Sequence, residues 1–347
     1  MTNTAFNLLQ PYLQRAAGKC LWIADENLLN RQSSPNEAIT VIVNRQDLYE
    51  QLKQQHWNAR FSDFDFHGFE DQSVDQVFYR VSKEKPVVHH VINEAFRILK
   101  TGGQLVLSGD KGEGIKSYID KAKKLFAGQC QANKAEADTW LAELTRPDEA
   151  GSKCLDDKDY RKLRPEVADE HFEYWSKPGV YGWNKIDKGS AYLIEHLDQF
   201  LMVMPEPPKQ MLDLGCGYGY LSLNASEMDI PVTATDNNAA AIAACERNFA
   251  RYPINGQVIT ADCARGITQK FDLILCNPPF HAGFDVETDL TDRFLKAAHD
   301  RLSDKGIACF VTNLHIPLER KAQGLFRQVE IIASNGNFKL TRLSHGL

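Results

Sequence analysis

The chain reads as an α/β protein of two tandem sheet-and-helix domains that arose by duplication, the N-terminal copy degenerate. Three observations carry that reading. Short apolar, β-branched runs alternate with helical stretches along both halves, the pattern of parallel sheets flanked by helices. The 347 residues are comfortable for two domains and too many for one of average size. The halves also repeat each other. Residues 74–80 line up with 271–277, and 96–107 mirror the later helix, its Lys305-Gly306 turn and the strand from Ile307. The offset is 197 residues at Asp75/Asp272 and 203 at Gly103/Gly306, a long-period repeat.

The second half carries the clearer elements. A strand over 209–214 runs into Gly215-Cys216-Gly217-Tyr218-Gly219, and 220–228 continues as a helix. A strand over 232–235 ends at Asp236, followed by an Ala-rich helix over 239–252. A strand over 258–260 ends near Asp262, and one over 271–276 ends at Asn277. A helix over 289–302 and a strand over 307–312 follow. In the first half, the strand over 20–23 leads into Ala24-Asp25-Glu26 with no glycine loop, and the strand over 39–43 ends at Asn44 rather than an acid. Arg80-Val81-Ser82-Lys83 stand where the later copy has Asn277-Pro278-Pro279-Phe280. The expected division is a fold-keeping, cofactor-free domain over 1–165 and a chemistry-bearing domain over 166–347, with the polar stretch from about 146 to 165 as the boundary.

Composition excludes several classes. At 43% hydrophobic and 25% charged, with a net charge of −6, the chain is ordinary for a globular protein, and any nucleic-acid surface must be local. One such patch is Lys111, Lys116, Lys121, Lys123 and Lys124; Arg161, Lys162 and Arg164 form another. The eight cysteines are scattered without a C-x-x-C pair, so neither a zinc site nor a disulfide framework is expected, and a reducing cytoplasm fits. No apolar run reaches the roughly 18 residues of a membrane span, and no secretory signal is visible at the N-terminus.

The chemistry concentrates at four strand ends. Asp213 precedes a turn in which Gly215, Gly217 and Gly219 permit φ > 0 and close approach of a ligand to the backbone. A nicotinamide-type G-x-G-x-x-G would need its third glycine where this chain has Tyr220. Asp236, 23 residues after Asp213, is placed to accept both hydroxyls of a ribose. Asp262 is placed to receive an adenine amino group, with the Cys263 backbone alongside. An open α/β sheet binds its ligand outside the carboxyl ends of its strands, and this array suits S-adenosylmethionine: Asp213 for its ammonium group, Gly215, Cys216, Gly217 and Gly219 beneath it, Asp236 and Asn237 at the ribose, Asp262 and Cys263 at the adenine, and Asn277 at the reacting end. Cys216 and Cys276 read as buried apolar residues, not nucleophiles.

Asn277-Pro278-Pro279-Phe280 specifies the acceptor as a planar –NH2. The Asn277 carbonyl and the Pro278 carbonyl, stiffened by two consecutive prolines, are expected to accept both N–H bonds of the amine, and Phe280 to stack on the base that carries it. Such motifs serve adenine-N6 and glutamine-N5 transfer as well as guanine N2.

These residues resemble the class I S-adenosylmethionine-dependent methyltransferases and, more narrowly, the ribosomal RNA guanine-N2 methyltransferases, which carry two tandem Rossmann-like methyltransferase domains. The resemblance spans the chain and includes Pro178-Gly179-Val180-Tyr181 and Ile186-Asp187-Lys188-Gly189-Ser190, a segment that in the family lies over cofactor and substrate. It implies Tyr181, Lys185 and Phe280 as substrate contacts. Gly182-Trp183-Asn184-Lys185 departs from the family's usual small-basic-acidic pattern there. The stretch from Gly109 to Ser117 is similar to the 16S type (RsmC type) rather than the 23S type (RlmG type). The function implied is methylation of a guanine N2 in 16S rRNA, with the small ribosomal subunit as partner. The alternatives are the 23S reaction, transfer to adenine N6 or glutamine N5, and a non-catalytic assembly factor on the same fold.

Overall fold

The strands of the computed structural model, which describes residues 4–135, 138–279 and 284–346, are short and buried on both faces where helices cover them. The chain divides into two units, Met1–Lys162 and Leu163–Leu347, three residues before the boundary expected from composition.

The first unit contains helices α1 (Thr4–Arg15), α2 (Gln46–Gln54), α3 (Lys85–Ile98) and α4 (Ile115–Leu125). Its strands are β1 (Cys20–Ala24), β2 (Ile39–Val43), β3 (Asn58–Phe61), β4 (Val74–Arg80), β5 (Leu99–Asp110), β6 (Cys130–Lys134) and β7 (Thr139–Thr145). They form one sheet in the order β3-β2-β1-β4-β5-β7-β6. The first five strands are parallel, and β7 and β6 are antiparallel additions. Alternate residues of β1 go to opposite faces. Leu21 and Ile23 join the core under α3 and α4; Cys20, Trp22 and Ala24 join the core under α1 and α2.

The second unit opens with a hairpin of β8 (Arg164–Ala168) and β9 (Glu173–Ser176), followed by α5 (Lys188–Glu195) and α6 (Leu197–Leu201). Its sheet strands are β10 (Met211–Leu214), β11 (Val232–Asp236), β12 (Gly256–Thr260), β13 (Phe271–Cys276), β14 (Leu302–Asn313), β15 (Gln328–Ser334) and β16 (Phe338–Ser344). The helices between them are α7 (Tyr220–Asn224), α8 (Ala239–Arg251), α9 (Phe284–Arg301) and α10 (Leu318–Ala322). The order β12-β11-β10-β13-β14-β16-β15 is the first sheet's order repeated.

The duplication is visible in register. Val74 pairs with Leu99 and Gln76 with Gln104, the ladder slipping between them; Phe271 pairs with Leu302 and Leu273 with Ile307, with the same slip. Arg80 therefore stands at the place of Asn277. Asp75 and Asp272 both accept a backbone N–H at the start of the central strand, from Lys19 at 2.8 Å and from Lys209 at 3.0 Å. A Cβ on Gly103 would lie 3.0 Å from the Asp75 carbonyl, and one on Gly306 would lie 2.9 Å from that of Asp272. Backbone crowding imposes glycine at both.

The helix expected over 220–228 breaks after Asn224 into α7 and a 3-10 turn over Ser226–Met228. Ser226 Oγ donates to the Leu223 carbonyl at 2.6 Å, a local bond that competes with the helical ladder, and Asp229 ends the turn in the left-handed region. The strand expected over 307–312 begins earlier, at Leu302, because the ladder with β13 resumes before the slip.

Candidate active site

The carboxyl ends of β10, β11, β12 and β13 lie side by side at the point where strand order reverses, the crevice of a doubly wound sheet. After Leu214 the chain turns through Gly215, Gly217 and Gly219, with φ of 85°, 55° and 90°. The N–H groups of Gly215 and Cys216 both donate to the Thr235 carbonyl at 2.9 Å, which pins the loop to the end of β11. A Cβ on Gly217 would meet nothing within 4 Å. Its left-handed backbone, not crowding, demands glycine, and that side of the loop is open to a ligand.

Asp213 is fully buried beneath the loop. Its Oδ2 accepts from the Ser222 N–H at 3.0 Å and the Ser222 hydroxyl at 2.6 Å. Its Oδ1 has no hydrogen-bond partner among the described residues. Burial pushes its carboxyl up to about 7; the Ser222 bonds oppose that rise and the charge of Asp236 adds to it. Asp236 accepts from the Gly217 N–H at 3.0 Å and the Asn238 N–H at 2.9 Å. Asn238 in turn caps α8 through the N–H groups of Ala240 and Ala241.

Asn237 donates to Asp262 Oδ1 at 3.3 Å, and Arg293 from α9 pairs with Asp262 Oδ2. The carboxylate expected at the adenine is thus engaged by two side chains of this chain. Beside it, Cys263 and Ala264 both adopt positive φ, 46° and 55°. Two consecutive non-glycine residues in the left-handed region store about 1–3 kcal/mol each, and such strain gathers at ligand sites. Cys216 is buried against Cys245, and their contact together with burial raises its thiol far above the usual range; burial does the same to Cys276. Neither is a thiolate nucleophile.

Asn277 follows the last residue of β13. Its Nδ2 donates to Asp187 Oδ1 at 2.7 Å and to Ser190 Oγ at 2.8 Å. Asp187 is the N-cap of α5 and accepts the Ser190 N–H at 2.9 Å. A carboxylate only accepts, so the amide nitrogen must face it, and the Asn277 carbonyl oxygen faces the other way. Pro278 is buried and Pro279 exposed. Phe280 lies outside the described residues.

Tyr181 is 51% exposed, and burial of its ring with the nearby Asp187 charge raises its hydroxyl above the usual range. Lys185 is exposed, and its carbonyl accepts from the Tyr218 hydroxyl at 3.1 Å, tying this segment to the glycine loop. Sequence reasoning assigned no role to Ser222, Asn248 or Arg293. Asn248 is fully buried on α8; its Oδ1 accepts the Trp175 N–H at 2.8 Å, and its Nδ2 donates to the Trp175 carbonyl at 3.0 Å and the Tyr218 carbonyl at 2.8 Å. It stitches hairpin, helix and loop together. The signal available for it was an Asn at a core-facing position of an Ala-rich helix.

The corresponding strand ends of the first unit are filled differently. Arg80, 3% exposed, lies 2.8 Å from Glu113 Oε1, 3.5 Å from Asp110 Oδ2 and 3.8 Å from Asp25 Oδ2. Burial works against its charge and the neighbouring acids oppose that; burial in turn raises the Asp25 carboxyl well above its usual range, with the Glu26 charge adding and the Arg80 charge opposing. An ion cluster occupies the place that the glycine loop and Asn277 take in the second unit.

Comparison with known proteins agrees with this geometry. The family model for the methyltransferase small domain matches residues 171–342, and that for the methyltransferase small domain N-terminal region matches 21–147. The ribosomal RNA small subunit methyltransferase C of Shewanella loihica is 31% identical over 293 residues, covering 82% of this chain and 82% of that protein. Its counterpart in Shewanella oneidensis is 29% identical over 262 residues, covering 74% and 73%. Among solved structures, the T. thermophilus 16S rRNA N2 G1207 methyltransferase (RsmC), in complex with AdoMet and guanosine, superposes with a TM-score of 0.83 at 23% identity, over 99% of this chain and 92% of that one.

Proposed function

This chain belongs to the ribosomal RNA small subunit methyltransferase C family, and from that premise we infer that it methylates the exocyclic N2 of a guanine in 16S rRNA. The observation that carries the reading is Asn277. It stands at the end of the strand next to the glycine loop, with its amide nitrogen tied back and its carbonyl oxygen facing away from Asp187.

The residues present fit S-adenosylmethionine. An orphaned, buried carboxylate oxygen on Asp213 is costly until a donor reaches it, and an ammonium group is such a donor. Gly217 leaves the loop backbone approachable, and Asp236 offers a carboxylate with about four acceptor positions to a ribose diol. When bound, S-adenosylmethionine supplies an electrophilic sulfonium methyl. The chain's own residues position the amine. Asn277 Oδ1 and the Pro278 carbonyl accept the two N2–H bonds, aim the nitrogen lone pair and favour the more tetrahedral, cationic nitrogen as the N–C bond forms. Phe280 stacks on the extruded base, and Tyr181 and Lys185 flank it. The nitrogen becomes acidic once alkylated and gives its proton to solvent, so no strong general base is required.

The second domain, 166–347, holds the chemistry, and the first, 1–165, serves substrate recognition or the stability of its neighbour. Lys116, Lys123 and Lys124 are exposed on α4 and suit phosphate contacts, which makes binding salt-dependent. The enzyme is assigned to the cytoplasm, acts on the small ribosomal subunit and needs no metal. No helix among the described residues is long and apolar enough to cross a membrane. Incubating ribosomal subunits with labelled S-adenosylmethionine and mapping the modified base tests the reading. Label on a guanine N2 of 16S rRNA is expected; label on 23S rRNA, on an adenine or on protein alone overturns it.

A further inference from the structure

We propose that Asp187 and Ser190 are positioning residues for the methyl-transfer step, acting through Asn277. The proposal rests on the reading that Asn277 Oδ1 faces the substrate amine. An amide –NH2 has two protons, and here two acceptors take them: Asp187 Oδ1 at 2.7 Å and Ser190 Oγ at 2.8 Å. With both bonds made, the amide plane can neither rotate nor flip. The acceptors are themselves fixed. Asp187 caps α5 and holds the Ser190 N–H at 2.9 Å, and Ser190 is buried. A Cβ on the intervening Gly189 would come within 3.1 Å of Asp187 Oδ1 and 3.3 Å of the Phe338 ring, so this turn has little room to shift.

The pair also acts electronically. A carboxylate against the –NH2 end favours the resonance form of the amide that places negative charge on Oδ1. That oxygen then accepts more strongly as the guanine N2 turns cationic, a charge-assisted interaction that grows along the reaction. Asp213, expected at the cofactor's ammonium group, bonds to Ser222 rather than to this pair. The arrangement therefore makes a distinct demand: loss of the pair lowers turnover, not cofactor affinity.

The test uses the full-length protein, tritiated S-adenosylmethionine and small ribosomal subunits lacking the modification. Asp187→Asn keeps the size and an acceptor oxygen for both Asn277 and the helix cap but loses the charge. Ser190→Ala keeps the cap, which uses the backbone N–H, and removes one acceptor. Each is expected to lower kcat by on the order of 10-fold or more, the scale of a lost charge assistance in Asp187→Asn and of a lost buried hydrogen bond in Ser190→Ala. The dissociation constant for S-adenosylmethionine and the KM for subunits should stay within about 3-fold. In an Asn277→Ala background, neither change should lower kcat further, because the two act through that residue. A wild-type kcat in both variants, an undiminished effect in the Asn277→Ala background, or a loss seen in cofactor affinity rather than kcat would each overturn the proposal. The underlying reading fails separately: Asn277→Ala with wild-type turnover refutes the role of Asn277 itself, whereas an inactive Asn277→Ala beside fully active Asp187→Asn and Ser190→Ala refutes only the positioning.

Discussion

The two sheets share strand order, a ladder slip and a crowded glycine, yet their strand ends differ in kind. The first unit brings Arg80 against Asp25, Asp110 and Glu113. The second leaves a carboxylate oxygen of Asp213 without a partner and an amide held ready at Asn277. The first sets acids against a guanidinium; the second sets a buried acid near another acid, Asp236. Both sets of strand ends hold buried polar atoms without a hydrogen-bond partner among the described residues, Asn44 Oδ1 and Ser108 Oγ in the first and Asp213 Oδ1 in the second, so the difference lies in which charges face one another.

The largest break of that contrast is expected from Arg80→Ala. Removing one member of a buried cluster strands Glu113, at a cost of about 3–5 kcal/mol, read as a shifted urea transition of the full chain. Methyl transfer per folded molecule should be unchanged. Asn277→Ala should do the reverse: turnover falls by on the order of 10²-fold, while the calorimetric affinity for S-adenosylmethionine and the melting temperature stay near wild type. The shared parts should respond alike. Gly103→Ala and Gly306→Ala each force a Cβ against a neighbouring carbonyl, and each should cost about 1–3 kcal/mol in thermal melts. A marked inequality would show that the repeats do not use this glycine in the same way.

The last effect concerns pH and is read as a slope. Burial raises the Asp213 carboxyl from 3.8 to about 7. The folded state then holds its proton more tightly than the unfolded chain. The stability this contributes is complete below about pH 4 and is lost progressively as pH rises to about 7. Asp213→Asn should flatten that segment of a stability–pH profile by the slope of about one proton. An unchanged profile would mean that Asp213 does not titrate in this range.

Much of this was legible because it depends on short-range pattern. The glycine loop, the acids at strand ends and the Asn-Pro-Pro run are local strings whose geometry follows from φ restrictions and strand length. The repeat was legible because Gly103 and Gly306 are crowded by backbone and Asp75 and Asp272 each accept a backbone N–H at the same place in the sheet. What escaped was set by partners distant in sequence. The antiparallel strands β15 and β16, and β6 and β7 in the first sheet, mix polar and apolar residues, with β15 and β6 at the sheet edges. The β8–β9 hairpin begins where the polar boundary stretch of 146–165 ends, and no strand was expected there. Arg293 reaches Asp262 across 31 positions, and Asn277 reaches Asp187 across 90; no periodicity encodes either pairing. Asp187 and Ser190 stood out only through resemblance, and their bond to Asn277 came from the fold.

The Asn248 stitch also bears on where the chain can be cut. A recombinant fragment beginning at 177 would retain the whole second sheet but discard the hairpin. The Asn248 amide would then lose two of its three bonds in a buried setting, and the Tyr252 hydroxyl would lose its partners on Glu173. A fragment that keeps these bonds therefore has to include the hairpin, as one starting at Leu163 would, well upstream of the first strand of its sheet.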